Sequence, residues 1–246
     1  MTVYLVGAGP GAPDLLTVRA VRLLGEADIV LHDALIPEET LRLASQAIRI
    51  PVGKRCGRHS TAQHFINKRL ADAARRYRVV VRLKGGDPML FGRAHEEIAF
   101  LNSRNIPVEV VPGVTAALAA SADLGVSLTR RGLSRSVTFV TPRVGAGELA
   151  SSWVTAAAAA DTAAIYMGAG EGPAIAAALI AAGKPPSTPV ALVENASLPQ
   201  LSVAYGTLAR LPPSGVGPVL ILIGEVYREA LEVAGDVACK MRRRSG

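Results

Sequence analysis

Short runs of β-branched and aliphatic residues recur at regular intervals along the chain. In the first half they fall at residues 3–6, 29–31, 48–52, 79–83 and 108–111, and longer stretches with helical periodicity lie between most of them. Alternation of strand and helix predicts a largely parallel sheet, because parallel neighbours need a crossover connection. The strands read as apolar on both faces, so helices are expected on both sides of the sheet. The chain is punctuated at Pro112 and Gly113, and a helix is predicted from Thr115 to about Asp123. A second series of strands follows at 137–141, 163–167, 190–194, 201–205 and 219–223. Only residues 195–200 separate 190–194 from 201–205, too few for a crossover helix, so these two are expected to pair as an antiparallel hairpin. The fold class predicted is α/β in two domains. Residues 1–112 carry a mostly parallel sheet and residues 113–246 a mixed one. The alanine-rich stretch 156–160 is helix-favouring and needs no functional explanation.

Composition narrows the setting. The chain has 246 residues, 50% of them hydrophobic and 19% charged, enough for a compact core. No apolar run approaches the roughly 18 residues that span a bilayer, and the first residues lack a basic leader pattern, so a cytoplasmic protein with no membrane partner is expected. Cys56 and Cys239 are the two cysteines, which suggests neither a disulfide framework nor a multi-cysteine metal site. His32, His59, His64 and His95 show no metal-ligand spacing, and Cys56-x-x-His59 reads as coincidence, so no metal is expected. The formal net charge of +7 favours anionic ligands. Nucleic acid is the poorer candidate, because only 4% of residues are aromatic and no basic stretch is interleaved with stacking rings. Lys240 and Arg242 to Arg244 read as a solvated tail.

Two glycine-rich segments carry the candidate chemistry. After the first strand, Gly7-Ala8-Gly9-Pro10-Gly11-Ala12 matches the relaxed dinucleotide pattern G-x-G-x-x-A, with Asp28 and Asp33 further on. Glycines there let backbone approach a ligand and turn into a helix whose first amides favour anions. Alone, the pattern does not separate a nucleotide-like ligand from a plain tight turn, and a nicotinamide or flavin oxidoreductase stays open. The second segment runs from Val80 to Glu97. It starts as a strand, turns at Gly85-Gly86 and enters a helix, the form of a ligand loop at a strand's carboxyl end. Asp87 is placed to cap this turn or to accept from an amine-bearing ligand, and Arg93 and Glu96 stand three residues apart on one helical face.

With these segments in place, the sequence resembles the uroporphyrinogen III C-methyltransferases of the tetrapyrrole methylase family along nearly its whole length. The resemblance rests on residues 7–16 (GAGPGAPDLL), 53–55 (GKR), Gln63 with Asn67, 82–93 (RLKGGDPMLFGR), 111–117 (VPGVTAA), 128–131 (LTRR), 136–141 (SVTFVT), 165–168 (IYMG) and 189–196 (PVALVENA). It implies a class III methyltransferase, usually a homodimer, with S-adenosyl-L-methionine in the cleft between two α/β domains and S-adenosyl-L-homocysteine as product. The implied reaction methylates uroporphyrinogen III at C2 and C7 to precorrin-2.

Carried over residue by residue, cofactor contacts fall on Pro10, Gly85, Gly86, Asp87, Leu90, Thr115, Ala116, Met167 and Ala196. Arg93, Glu96 and Arg131 fall on the substrate side. Asp33 aligns with a proton acceptor and Lys54 with a proton donor; Arg93 is a further candidate for proton transfer, although so basic a guanidinium suits electrostatic positioning better. The sequence departs from the family pattern at Ala12, where aspartate is common, at Ala34 for arginine, at Ala94 and His95 for two glycines, and at Arg130 for histidine. These departures leave open a shifted preference within the tetrapyrroles or slower turnover, and Ala12 and Ala34 leave open a tetrapyrrole-binding relative that has lost the chemistry. Precorrin-2 feeds sirohaem, cobalamin and haem d1, and the length implies no fused dehydrogenase-chelatase domain.

Overall fold

The structure is a computed structural model and describes residues 1–52, 63–145, 149, 151–215 and 217–235. It divides into two compact units, Met1–Ala116 and Ala117–Gly246. In the first, β1 (Thr2–Gly7), α1 (Val18–Glu26), β2 (Ile29–His32), α2 (Glu38–Arg42), β3 (Ile48–Pro51), α3 (Gln63–Ala74), β4 (Val79–Lys84), α4 (Ala94–Asn102) and β5 (Val108–Val111) follow in order. The strands form one parallel sheet in the order β3-β2-β4-β1-β5. Side chains alternate across it, as the two-residue period of a strand requires. Val3, Leu5, Leu31 and Val80 pack with Leu70 of α3 and Leu101 of α4 on one face, while Val6, Val30, Val81 and Leu83 pack with Leu23 and Leu24 of α1 on the other. The entry to α1 is set by Thr17, whose hydroxyl accepts from the Ala20 N–H at 3.2 Å.

The second unit holds nearly all of α5 (Ala116–Leu124), then β6 (Val137–Val140), α6 (Trp153–Ala159), β7 (Thr162–Ile165), α7 (Gly172–Ala181), β8 (Pro189–Glu194), β9 (Ser202–Thr207) and β10 (Val219–Gly224). Its sheet order is β6-β7-β10-β8-β9. β6 and β7 are parallel; the other pairings are antiparallel, including the β8–β9 hairpin with Glu194 opposite Ser202. The mixed sheet expected from the short 195–200 connection is therefore present. Ile165, Ile175, Leu179, Val190, Ile221 and Ile223 form the core of this unit. Among the described residues no helix is long and apolar enough to cross a membrane, and no group of three or more His, Cys, Asp or Glu side chains could hold a metal.

Candidate active site

At the carboxyl end of the parallel sheet, the loops after β1 and β4 are joined. Gly9 N–H donates to Gly86 O at 3.2 Å and Gly86 N–H returns to Gly9 O at 2.7 Å, while Ala8 N–H donates to Lys84 O at 2.7 Å. Three glycines let the backbones close in. A Cβ on Gly7 would stand 2.6 Å from Gly113 Cα, and one on Gly113 would stand 2.3 Å from Gly86 O. Gly86 also needs its positive φ of 65°. Adjacent strands β4 and β1 are where connections leave in opposite directions, since β5 lies beyond β1 and β2 beyond β4. Ligands of open α/β sheets bind outside such a switch point.

Asp87 follows the turn, and both of its oxygens accept from backbone: Oδ1 from Met89 N–H at 2.8 Å and Oδ2 from Gly113 N–H at 2.9 Å. Its first role here is thus to shape the loop, with only its remaining lone pairs open to a ligand. Phe91 and Arg93 both adopt left-handed φ values, 53° and 56°, around Gly92, where a Cβ would meet Pro88 O at 2.5 Å. Arg93 therefore precedes α4 as its N-cap and does not lie on the helix face with Glu96. The pair still forms, with Nε to Oε1 at 2.6 Å and Nη2 to Oε2 at 2.8 Å. That hydrogen bond, helped by the nearby guanidinium charge, holds the Glu96 carboxyl below its ordinary range.

Beneath the turn lies a charged cluster that the motif pattern does not announce. Val80, Arg82 and Lys84 share one face of β4, so the apolar row beneath α3 and α4 ends in two buried cations. Arg82 Nη2 donates to Asp33 Oδ1 at 2.5 Å and its Nε donates to Glu97 Oε1 at 3.2 Å; Lys84 Nζ reaches the same Glu97 oxygen at 3.1 Å. Gln63 adds a fourth element, with Nε2 at 3.1 Å from Glu97 Oε1 and 3.0 Å from Asn67 Oδ1. Burial alone would lower the Arg82 pKa, but the charges of Asp33 and Glu97 and their hydrogen bonds outweigh it, and the net direction is upward. For Lys84 burial prevails, aided by the Arg82 charge, and its pKa is lowered. Sequence reading passed over Arg82, Lys84 and Glu97. The available signal was two charged residues at alternate positions of a strand apolar on both faces.

Among the other candidates of the first unit, Pro10, Leu90 and Ala116 are half-buried and Thr115 is buried. Lys54 lies outside the described residues, as do Cys56, His59 and Cys239. In the second unit Met167 is 42% exposed and left-handed, with φ 57°. It follows Tyr166, whose hydroxyl accepts the Ala117 N–H at 3.0 Å in the first turn of α5. Ala196 is buried between Asn195 and Ser197, both at positive φ, and Ser197 N–H donates to Asp123 at 2.7 Å. Arg131 is exposed in the turn between α5 and β6.

Over residues 2–212 the sequence matches the tetrapyrrole (corrin/porphyrin) methylases. The chain belongs to this family. The uroporphyrin-III C-methyltransferase of Thermus thermophilus, solved with S-adenosylhomocysteine, superposes with a TM-score of 0.82 at 40% identity, over 93% of this chain and 99% of its own. A cobalt-precorrin-4 methyltransferase of cobalamin biosynthesis superposes with a TM-score of 0.77 at 27% identity, over 92% of this chain and 95% of its own. The siroheme synthase of Chromobacterium violaceum is 45% identical over 234 residues, 93% of this chain and 50% of that protein. The chain spans about half the length of the curated relatives named siroheme synthase that it matches first. The two-sheet α/β fold is that of class III methyltransferases. In this tetrapyrrole methylase Ala94 is buried at the start of α4. Arg130 pairs with Glu229 at 2.8 Å.

Proposed function

We propose that this chain methylates uroporphyrinogen III with S-adenosyl-L-methionine, at C2 and then C7, giving precorrin-2. The observation that carries the reading is the correspondence with the Thermus thermophilus enzyme, which extends over 99% of that chain. The glycine turns suit such a cofactor: among the described residues nothing lies within 4 Å of a Cβ placed at Gly85, so a ligand can lie directly on the backbone there. When bound, the cofactor supplies an activated methyl on a sulfonium, and no metal is required for that chemistry. Pro10, Gly85, Gly86, Asp87, Leu90, Thr115, Ala116, Met167 and Ala196 bind it in this reading, largely through backbone groups.

The remaining residues serve the macrocycle. Arg93 and Arg131 bind its carboxylates with planar, multidentate guanidinium groups, and Glu96 orients Arg93. Asp33 takes the proton lost from the alkylated ring and Lys54 acts as proton donor. Family resemblance also supports a homodimer and a cytoplasmic location, the former tested by sedimentation of the purified chain. The deciding assay incubates uroporphyrinogen III with labelled S-adenosylmethionine and reads product mass. Two added methyls are expected; no transfer overturns the reading. A second reading, another tetrapyrrole precursor as substrate, draws on Ala12, Ala34, His95 and Arg130 and on the likeness to the cobalt-precorrin-4 enzyme. It predicts that a later precursor is methylated faster than uroporphyrinogen III.

A further inference from the structure

Glu97 stands in the first turn of α4 with its side chain fully buried. Its Oε1 collects three donors from two other elements: Arg82 Nε, Lys84 Nζ and Gln63 Nε2, at 3.2, 3.1 and 3.1 Å. Among the described residues its Oε2 has no hydrogen-bond partner. Arg82 is held at every nitrogen, with Nε on Glu97, Nη1 on the carbonyls of Leu31 and Leu83 at 3.4 and 3.1 Å, and Nη2 on Asp33. Of the four charged side chains only Asp33, 34% exposed, is open to a ligand; Arg82, Lys84 and Glu97 are 3%, 5% and 0% exposed. A guanidinium fixed at Nε cannot swing about its own stem, so the position of its far nitrogen is set by the buried carboxylate.

We propose that Glu97 is a positioning residue for methyl transfer: acting through Arg82, it holds the Asp33 carboxylate where that group accepts the ring proton. This rests on the reading of Asp33 given above. Two cations and two carboxylates sum to zero, so a role in charge balance alone is the competing account. The two make different demands on residue 97. Charge balance needs one negative charge to match Lys84, whereas positioning needs an acceptor atom beside Arg82 Nε.

Two double variants separate them, because each removes one cation and one anion. Lys84→Met with Glu97→Gln keeps an acceptor oxygen; Lys84→Met with Glu97→Leu does not. Uroporphyrinogen III turnover is followed for both, with S-adenosylhomocysteine affinity as the control. The Leu pair is expected to lose roughly tenfold to a hundredfold in kcat, the scale of a small misplacement of a reacting group, while KM for S-adenosylmethionine and S-adenosylhomocysteine affinity stay near the parent values. The Gln pair recovers most of that loss. A Leu pair with parent kcat, or a Gln pair no better than the Leu pair, overturns the proposal. Should the Leu pair fail to fold, Arg82→Lys decides, since an ammonium keeps the charge but cannot span both carboxylates; parent kcat there also overturns it. Asp33→Asn is run alongside. If that variant turns over at the parent rate, the proton-acceptor reading fails and takes the proposal with it; if it is inactive while the Leu pair is fully active, only the role of Glu97 fails.

Discussion

Arg93 holds a left-handed backbone with φ 56° and ψ 23° while its guanidinium lies on Glu96. That conformation is unfavourable for a side chain with a Cβ, by about 1–2 kcal/mol, and the ion pair is one of the contacts that offset it. The pair is solvent-facing, with side-chain exposures of 58% and 33%, so its own worth is at most about 1 kcal/mol. Its pH dependence has a definite sign. The Glu96 carboxyl is lowered in the folded protein, so its contribution is fully present above the unfolded glutamate pKa of about 4.3 and is lost as pH falls through the lower folded value. Urea midpoints of the parent and Arg93→Met should therefore differ slightly at neutral pH and converge in acid; a gap that widens in acid contradicts this. For function, Arg93→Met or Arg131→Met should cut uroporphyrinogen III turnover sharply and change S-adenosylhomocysteine affinity by less than about tenfold, or 1.4 kcal/mol. Joint loss of both ligands from a folded variant would show that these arginines are not confined to the substrate side.

Strands and glycine turns are the elements that set the site, and they were the most legible from sequence. Runs such as 29–31 and 219–223 register as strands because aliphatic residues at successive positions suit a strand buried on both faces. The hairpin at 190–205 was readable from connection length alone. What escaped the pattern is where each polar group finds its partner. Asp87 turns to the Gly113 amide across 26 residues, and Arg82 reaches Glu97 because a helix packs over that strand face, neither of which spacing encodes. Two predictions belong here. Gly113→Ala places a Cβ against backbone atoms of Gly86 and Gly7 that cannot rotate away, so stability should fall by about 1–3 kcal/mol and S-adenosylhomocysteine binding should weaken with it. A folded variant with parent melting temperature and affinity would show that the loops have slack. Tyr166→Phe keeps the ring beside Phe139, 6.2 Å away and edge-on, but removes the acceptor of the Ala117 N–H. The loss should be about 1 kcal/mol in calorimetric stability, the usual net value of one such bond.

At the scale of the whole molecule, the methylase and oxidoreductase readings of the Gly7 to Ala12 loop part company over which ligand stabilises the native state. A ligand that binds only folded protein adds RT ln(1 + [L]/Kd), about 2.7 kcal/mol at a hundredfold excess over Kd. For a chain of 246 residues, each kcal/mol moves the melting point by roughly 2–4 °C, so saturating S-adenosylhomocysteine should raise it by about 5–10 °C. The rise should continue with the logarithm of concentration after the site is full, which distinguishes linkage from a general solvent effect. NAD and FAD present an adenosine too, but they carry a pyrophosphate where the methylase reading has a neutral sulfur and an amino acid, and nothing in the Gly85-Gly86-Asp87 turn compensates that charge. Asp87 in fact opposes it, since its carboxylate stands beside the turn and is held there by Gly113. Neither dinucleotide should move the melting point by more than about 1 °C at the same concentration, well under 1 kcal/mol by the same conversion. Comparable shifts for all three ligands would mean that the loop recognises adenosine alone, and a larger shift for NAD or FAD would return this site to the dinucleotide-binding enzymes.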